Sequence, residues 1–313
     1  MKKNILLIVA LMGAMAWTGC MKVEEELIDE KPDVVEPETN TDTYTLTILA
    51  ERNDGAQTKG LAVDGEEATT TSLLSVWKDG ETVEVYLGSN HIGTLTATPD
   101  AEDAHKATLS GEVTTSEIIA NTTRLTLLTP REEWDYTGQV GALLISDDAA
   151  HSIEQKYHYT KATDVLVTGV DGSAITTDNA IFTNQQSIYR LSFRYNNGSS
   201  KTPITTKSVT ISSANGHLVQ REVLGSSPTE GPVSVTLGTA TTDPFFVALR
   251  NGDGTNAEAL TFTVVDNTGV TYRGSKTIPA EYKPNGTFLS VKNASLDQRL
   301  DLALSNTEVD TVL

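Results

Sequence analysis

Cys20, the only cysteine among the 313 residues, is the side chain whose chemistry the sequence indicates most directly. It follows a basic start at Lys2 and Lys3 and an apolar run from Asn4 to Trp17. That run is shorter than the roughly 20 residues that a membrane-spanning helix needs, and the order of features is typical of a secretory signal peptide over residues 1–19. A lone cysteine at the cut site favours attachment of lipid to its thiol and leaves no partner for a disulfide within the chain.

The stretch Trp17-Thr18-Gly19-Cys20 resembles a bacterial lipobox, at which the signal peptide is cut before a cysteine that then carries lipid. The resemblance implies lipid, such as palmitate, on Cys20, and two or more acyl chains hold a protein stably on a membrane. An ordinary secretory signal with a chance cysteine is the alternative. The acidic run Glu24-Glu25-Glu26 resembles the surface-export signal of Bacteroidetes lipoproteins, which implies an anchor on the outer face of the outer membrane. A solvated acidic spacer is the alternative.

The remaining residues contain no recognisable catalytic motif. The five histidines are His91, His105, His151, His158 and His217. None belongs to a His-Glu-x-x-His zinc motif, and we interpret His151 and His158, seven residues apart, as a surface pair. Phosphate-binding loops and the Gly-x-Ser-x-Gly motif are also missing from the sequence. The sequence therefore predicts a protein that is not an enzyme and that uses no cofactor and no metal.

The composition narrows the function further. The chain has 23 basic and 42 acidic residues, a formal net charge of −19. Binding of nucleic acid needs basic side chains that neutralise phosphates, so we do not expect it. Threonine, valine and glycine are plentiful, which indicates an all-β fold, and the length fits two domains after the signal. Residues 20–43 are charged and lack aromatic side chains, so they are predicted to form a flexible tether.

The first predicted strand begins where this tether ends. The strand is predicted over Tyr44–Ala50, where Tyr44, Leu46 and Ile48 alternate with threonines and so form one apolar face. Arg52 and Lys59 follow in what we predict to be an exposed polar loop. Proteases cut exposed loops of this kind, so both basic residues are candidate cleavage sites.

Alternating strands and glycine-containing turns continue from Thr82 almost to the end of the chain. Ser146–Tyr159 is the best candidate for a helix. Gly225–Pro232 is the clearest break in composition, and we place a domain boundary there. The sequence therefore predicts an N-terminal β-domain over residues 44–224 and a C-terminal one over residues 225–313.

Several of these strand patterns resemble the fimbrillin-like proteins of Bacteroides and its relatives, the type V pilins. The segments that carry the resemblance are Trp77–Tyr86, His91–Leu95, Ala107–Gly111, Phe182–Tyr195, Lys207–Ser212 and Leu260–Lys276. They are β patterns in a particular order and not catalytic signatures.

The resemblance implies two transthyretin-like β-sandwich domains in tandem and a fimbrial subunit that is exported as a lipoprotein. In that family a trypsin-like protease removes the first strand at a basic residue, and the groove that this exposes accepts a strand from the next subunit. The removed strand here would contain Tyr44, Leu46 and Ile48, and the cut would follow Arg52 or Lys59. The implied partners are other copies of the chain or related fimbrial subunits. The implied location is first the outer membrane and then a fimbrium that supports adhesion.

The donor strand that the resemblance implies is the tail of the chain, with Leu300, Leu302, Leu304, Val309 and Val312 as its apolar residues. The first three leucines alternate as they would on one face of a strand. A helix that places Leu300 and Leu304 on one face also fits, so strand and helix both stay open.

Two other functions are alternatives to the polymerising subunit. A fimbrial tip or anchor subunit would keep its first strand. A surface glycan-binding lipoprotein would need exposed aromatic rings on which sugars stack. Trp134 lies in the polar segment Pro130–Gly138 and is the candidate for such a ring. Trp77 precedes a core hairpin, so we expect it to be packed.

Overall fold

In the computed structural model, nearly all the regular secondary structure is β-strand, which confirms the all-β prediction. It describes residues 41–52, 61–63, 73–131, 133–141, 149–198, 200–214, 218–252, 259–277, 288–296 and 298–299. Within these ranges, none of the helical segments has the length or apolar character needed to cross a membrane. The transthyretin-like topology and the tandem sandwiches stay predictions.

Eight strands form the largest sheet, and most of them carry apolar side chains at alternate positions. They are β1 (Asp42–Arg52), β4 (Thr82–Leu87), β5 (Asn90–Pro99), β6 (Lys106–Thr115), β7 (Arg124–Thr129), β9 (Thr160–Asp171), β10 (Ala174–Thr177) and β11 (Ala180–Asn184). The pairings run β1–β6–β5–β4–β7–β9, and β10 and β11 connect β9 back to β1, so they close into a ring. The inward side chains of all eight strands share the first apolar core.

Two further sheets share the second apolar core. The four-stranded sheet contains β12 (Ser187–Asn196), β13 (Lys201–Pro203), β18 (Phe245–Leu249) and β21 (Phe288–Leu296). The five-stranded sheet contains β14 (Thr206–Ser213), β17 (Val233–Thr241), β19 (Ala259–Asp266), β20 (Thr271–Thr277) and β22 (Gln298–Arg299). Leu191 and Val247 come from the first of these sheets, and Ile211 and Phe262 come from the second.

Two small sheets complete the strands. One pairs β2 (Leu61–Val63) with β3 (Leu73–Ser75), and the other contains β8 (Glu133–Asp135), β15 (Val219–Val223) and β16 (Thr229–Glu230). A helix was predicted over Ser146–Tyr159, but in the described residues of this range the helical segments are much shorter. It is reduced to a 3-10 turn at Ala149–His151 and to α1 (Ile153–Lys156), whose N-cap is Ser152.

A third apolar core lies between the ring and the sheets of the second core. Tyr86 and Leu128 of the ring meet Ile188 of β12 and Phe246 of β18 there. Strands β12 and β18 are therefore buried on both faces, since their other residues fill the second core. Full burial explains why Phe245–Leu249 is a continuous apolar run instead of an alternating one.

The predicted domain boundary at Gly225–Pro232 contains most of the turn between β15 and β16, the whole of β16 and the two residues that follow it. Strand β12, which precedes it in the chain, pairs with β18 and β21, which follow it. Strand β14 likewise pairs with β17 and β19. The strand pairings therefore cross the predicted boundary, and the two large cores divide instead between Asn184 and Ser187.

Candidate functional site

Strand β1 occupies a position with a hydrogen-bonded neighbour on each side. Along one side it pairs antiparallel with β6 over ten consecutive residues, from Asp42 opposite Thr115 to Glu51 opposite Lys106. Along the other side it pairs parallel first with β10 and then with β11. β1 thus closes the ring, and its removal would leave two unpaired strand edges facing one slot.

The apolar face predicted for this strand is confirmed. Leu46 and Ile48 are fully buried in the first core, and Tyr44 packs against its rim. Thr45 and Thr47 point outward and are exposed. The strand is longer than the pattern from residue 44 to residue 50 predicts, because two residues at each end also pair with β6 or β11.

Arg52, the last residue of β1, is buried, with 1% of its surface exposed. Its Nη1 donates to the carbonyl oxygen of Val76, and its Nη2 donates to Oε1 of Glu81 at 2.6 Å. The guanidinium carbon lies 3.5 Å from the centre of the Trp77 ring. The guanidinium thus contacts a carbonyl, a carboxylate and an aromatic face, and each of these attracts its positive charge.

The charge on this arginine is balanced locally. Burial lowers the pKa of Arg52 from its usual value, and the carboxylate of Glu81 raises it in part. Glu81 is itself held by the hydroxyl of Thr129, which donates to Oε1 at 3.0 Å. Trp77 is held edge-on against Phe182, with ring centroids 5.1 Å apart. The pocket is therefore built from β7, β11 and the segment before β4.

The prediction that Arg52 lies in an exposed loop is wrong. Arg52 is the last residue of a strand, and its buried side chain hydrogen bonds to Glu81, 29 residues away in the chain. A trypsin-like protease must take the basic side chain into its own pocket, so cleavage after Arg52 requires the end of β1 to open first. The other candidate, Lys59, lies outside the described residues.

The remaining predicted site residues also lie outside the described part of the chain. They are Cys20 and the donor-strand residues Leu300, Leu302, Leu304, Val309 and Val312. Just before that segment, β22 pairs with β20, with Gln298 opposite Arg273 and Arg299 opposite Tyr272.

The two tryptophans after the signal segment are both buried. Trp77 is 3% exposed, as expected for a ring packed against the core. Trp134 is 1% exposed, so the prediction that it offers an exposed platform is wrong. Its ring lies in the third core, 4.3 Å from the guanidinium carbon of Arg250 and 6.3 Å from the centroid of Tyr159.

The two histidines interpreted as a surface pair are in different environments. His151 is exposed, whereas His158 is buried with Nε2 3.1 Å from Oδ1 of Asn184. The surface interpretation is therefore wrong for His158. In the described part of the chain, no cluster of three or more histidine, aspartate or glutamate side chains could hold a metal ion.

Sequence reasoning missed the tyrosines of the third core. Tyr136, Tyr157 and Tyr159 belong to the same buried cluster as residues of the ring and of β18. The hydroxyl of Tyr157 donates to the carbonyl of Gly138 at 3.2 Å, and burial raises its pKa to about 12. The density of aromatic residues between 134 and 159 is the signal that could have indicated a buried cluster.

The sequence matches no protein-family model and no curated protein. Two solved structures that resemble the fold are each described as a "putative cell adhesion protein". The one from Bacteroides ovatus has 12% identity, covers 81% of this chain and 95% of its own, and has a TM-score of 0.38. The one from Bacteroides uniformis has 14% identity, covers 84% and 96%, and has a TM-score of 0.36. A shaft pilin from Lactobacillus rhamnosus has 11% identity, covers 83% and 99%, and has a TM-score of 0.26.

Proposed function

We propose that this chain is a structural subunit of a bacterial surface fimbrium that is exported as a lipoprotein and polymerises by donor-strand exchange. The observation that carries the proposal is the place of β1 in the ring, with β6 on one side and β10 and β11 on the other. Cleavage after β1 would allow this strand to leave, and the backbone groups of β6 on one side and of β10 and β11 on the other would lose their partners. Unpaired edges of this kind accept strands from other chains.

A strand that replaces β1 in the same direction meets two requirements. It runs antiparallel to β6 and parallel to β10 and β11, and it places apolar side chains where Leu46 and Ile48 lie. Backbone hydrogen bonds then supply affinity while alternate side chains fill the core. The alternation of Leu300, Leu302 and Leu304 meets the second requirement.

Exchange of this kind produces an open assembly. The surface that gives a strand differs from the slot that receives one, so the contact is head-to-tail and does not close on itself. A lipid on Cys20 would hold the subunit on the outer membrane before a trypsin-like protease cuts it. The assembled fimbrium would then support adhesion.

The alternative functions differ in what supports them. A tip or anchor subunit would share the fold and keep β1. A glycan-binding lipoprotein was favoured by an exposed Trp134, and burial of that ring removes this support.

The test is the N-terminal sequence of protein sheared from cells, with the same sample run unheated on a denaturing gel. We expect a new terminus after Arg52 or Lys59 and a ladder of multimers that heating collapses. The variants Arg52→Gln and Lys59→Gln identify the cut, and Lys201→Gln on the short strand β13 is the control. A terminus blocked at Cys20 together with a single monomer band would overturn the polymerising subunit and leave a tip or anchor subunit.

A further inference from the structure

The contacts of Arg52 form a binding pocket for one arginine side chain at the end of a strand. We call the Val76 carbonyl, the Trp77 ring and the Glu81 carboxylate the arginine pocket. All three belong to the segment between β3 and the start of β4, so the pocket remains with the rest of the chain when β1 leaves. Its carboxylate would then lack the cation that it faces at 2.6 Å.

The pocket also depends on the register of the strand that occupies the position of β1. Leu46, Ile48, Ala50 and Arg52 occupy alternate positions of β1 and are all buried. A shift by one residue would move this whole set to the outer face, because side chains alternate between the two faces of a strand. A shift by two would place Ala50 or a later residue in the pocket instead of the guanidinium. Only one register therefore fills the core and also brings the guanidinium to Glu81.

The tail proposed as the donor strand does not supply this cation. Residues 300–313 contain no lysine and no arginine. If Leu302 and Leu304 take the places of Leu46 and Ile48, the residue at the register of Arg52 is Glu308, which would bring a second carboxylate to Glu81. Two carboxylates held this close repel each other, so this arrangement is unfavourable.

We infer that the arginine pocket is a guanidinium-binding site that fixes the register of the strand in the β1 slot. Through it, the slot selects a replacement strand that carries arginine four residues after the side chain replacing Ile48. The second part rests on the proposed strand exchange. A related subunit whose donor strand has the pattern aliphatic-x-aliphatic-x-small-x-Arg would then be preferred over residues 300–313 of another copy.

The test uses the mature chain with Cys20→Ser and a site for a sequence-specific protease inserted between Gln57 and Thr58. After cutting, fluorescent peptides are added and their incorporation is followed by anisotropy. The peptides are the sequence of β1 (Asp42–Arg52), its Arg52→Gln form, its Thr47→Gln form as the control on the outer face, and residues 300–313.

Loss of hydrogen bonds to a charged group should reduce the affinity of the Arg52→Gln peptide by about tenfold or more. The Thr47→Gln peptide should bind like the native one, and the 300–313 peptide should bind more weakly. In the Glu81→Gln chain the difference between arginine and glutamine peptides should shrink. Equal binding of the arginine and glutamine peptides, or tighter binding of residues 300–313, would overturn the inference.

If even the native β1 peptide fails to enter, strand exchange itself is overturned, and the pocket is judged by a second measurement. This is the urea concentration at which the cut chain releases its own β1. Arg52→Gln should lower it relative to both wild type and Thr47→Gln, and an unchanged release would overturn the pocket as well.

Discussion

The side-chain amide of Gln139 pairs with the backbone of Ala248 in both directions. Its Nε2 donates to the carbonyl oxygen of Ala248 at 2.7 Å, and its Oε1 accepts from the amide nitrogen of Ala248 at 2.9 Å. Gln139 is buried, and the two residues are 109 positions apart in the chain. The side chain of Gln139 thus makes the two hydrogen bonds that a neighbouring strand would otherwise make to β18. It also connects the segment after β8 to the third core.

Gln139→Ala should therefore lower the free energy of unfolding by at least about 2 kcal/mol, because it leaves a buried amide and a buried carbonyl without partners. Urea unfolding followed by circular dichroism measures the change. Gln185→Ala is the matched control, since the side chain of Gln185 makes its hydrogen bonds to Thr183 at the surface, and its effect should stay within about 0.5 kcal/mol. Equal effects of the two variants would show that the pairing contributes nothing.

The core side chains of β1 should carry much of the stability of the uncut chain. Leu46→Ala removes a fully buried side chain from the first core and should cost about 2–5 kcal/mol in the free energy of unfolding. Thr47→Ala, at the exposed neighbouring position, should change it by less than about 0.5 kcal/mol. Denaturant titration of both proteins tests this, and a Leu46→Ala protein as stable as wild type would mean that β1 does not pack as described.

Because both tryptophans are buried, their fluorescence should report indole rings that solvent and quenchers do not reach. Once residues 1–19 are removed, Trp77 and Trp134 are the only tryptophans left. Their emission should be shifted to the blue and should resist quenching by iodide until the protein unfolds. Strong quenching in the native Trp77→Phe variant, which retains Trp134 alone, would contradict the buried environment and reopen the glycan-binding function.

The elements that the sequence predicted well depend on local patterns. Alternation of Leu46 and Ile48 was enough to find β1 and its apolar face. Arg52 and Trp134 could not be placed in this way, because they are covered by contacts with Glu81 and with Arg250, which are distant in the chain. Each lies in a polar stretch of the sequence, which predicted a residue exposed to solvent.

The predicted boundary at Gly225–Pro232 depended on composition, and composition does not distinguish a linker from a hairpin turn. Glycine is favoured in both, and Gly225 here adopts a left-handed φ of 80° in the turn between β15 and β16. Which strands pair across such a turn depends on contacts over the whole chain, and no local pattern encodes them.

Buried tyrosines predict a loss of stability at high pH. Burial raises the pKa of Tyr157 from its ordinary value of 10.0 to about 12. Between these values the unfolded chain releases the phenol proton while the folded chain keeps it, so the free energy of unfolding falls as pH rises. Tyr157→Phe should reduce this slope by up to about 1.4 kcal/mol per pH unit between pH 10 and 12. Urea unfolding across this range checks it, and an unchanged slope would show that Tyr157 ionises freely in the folded chain.

The arginine pocket should also control where a trypsin-like protease cuts. Cleavage after Arg52 requires the end of β1 to open, and its rate follows the population of that open form when opening is fast. Glu81→Gln removes the carboxylate that faces the guanidinium at 2.6 Å, so the open form should become about tenfold more populated.

Mass spectrometry over a time course of dilute trypsin measures cleavage after Arg52, with cleavage after Lys59 in the same sample as the reference. Glu84→Gln, which alters a carboxylate on β4 that contacts His91 instead, is the control and should leave the Arg52 cut unchanged. Equal acceleration of both cuts by Glu81→Gln would show general destabilisation and not release of one buried arginine.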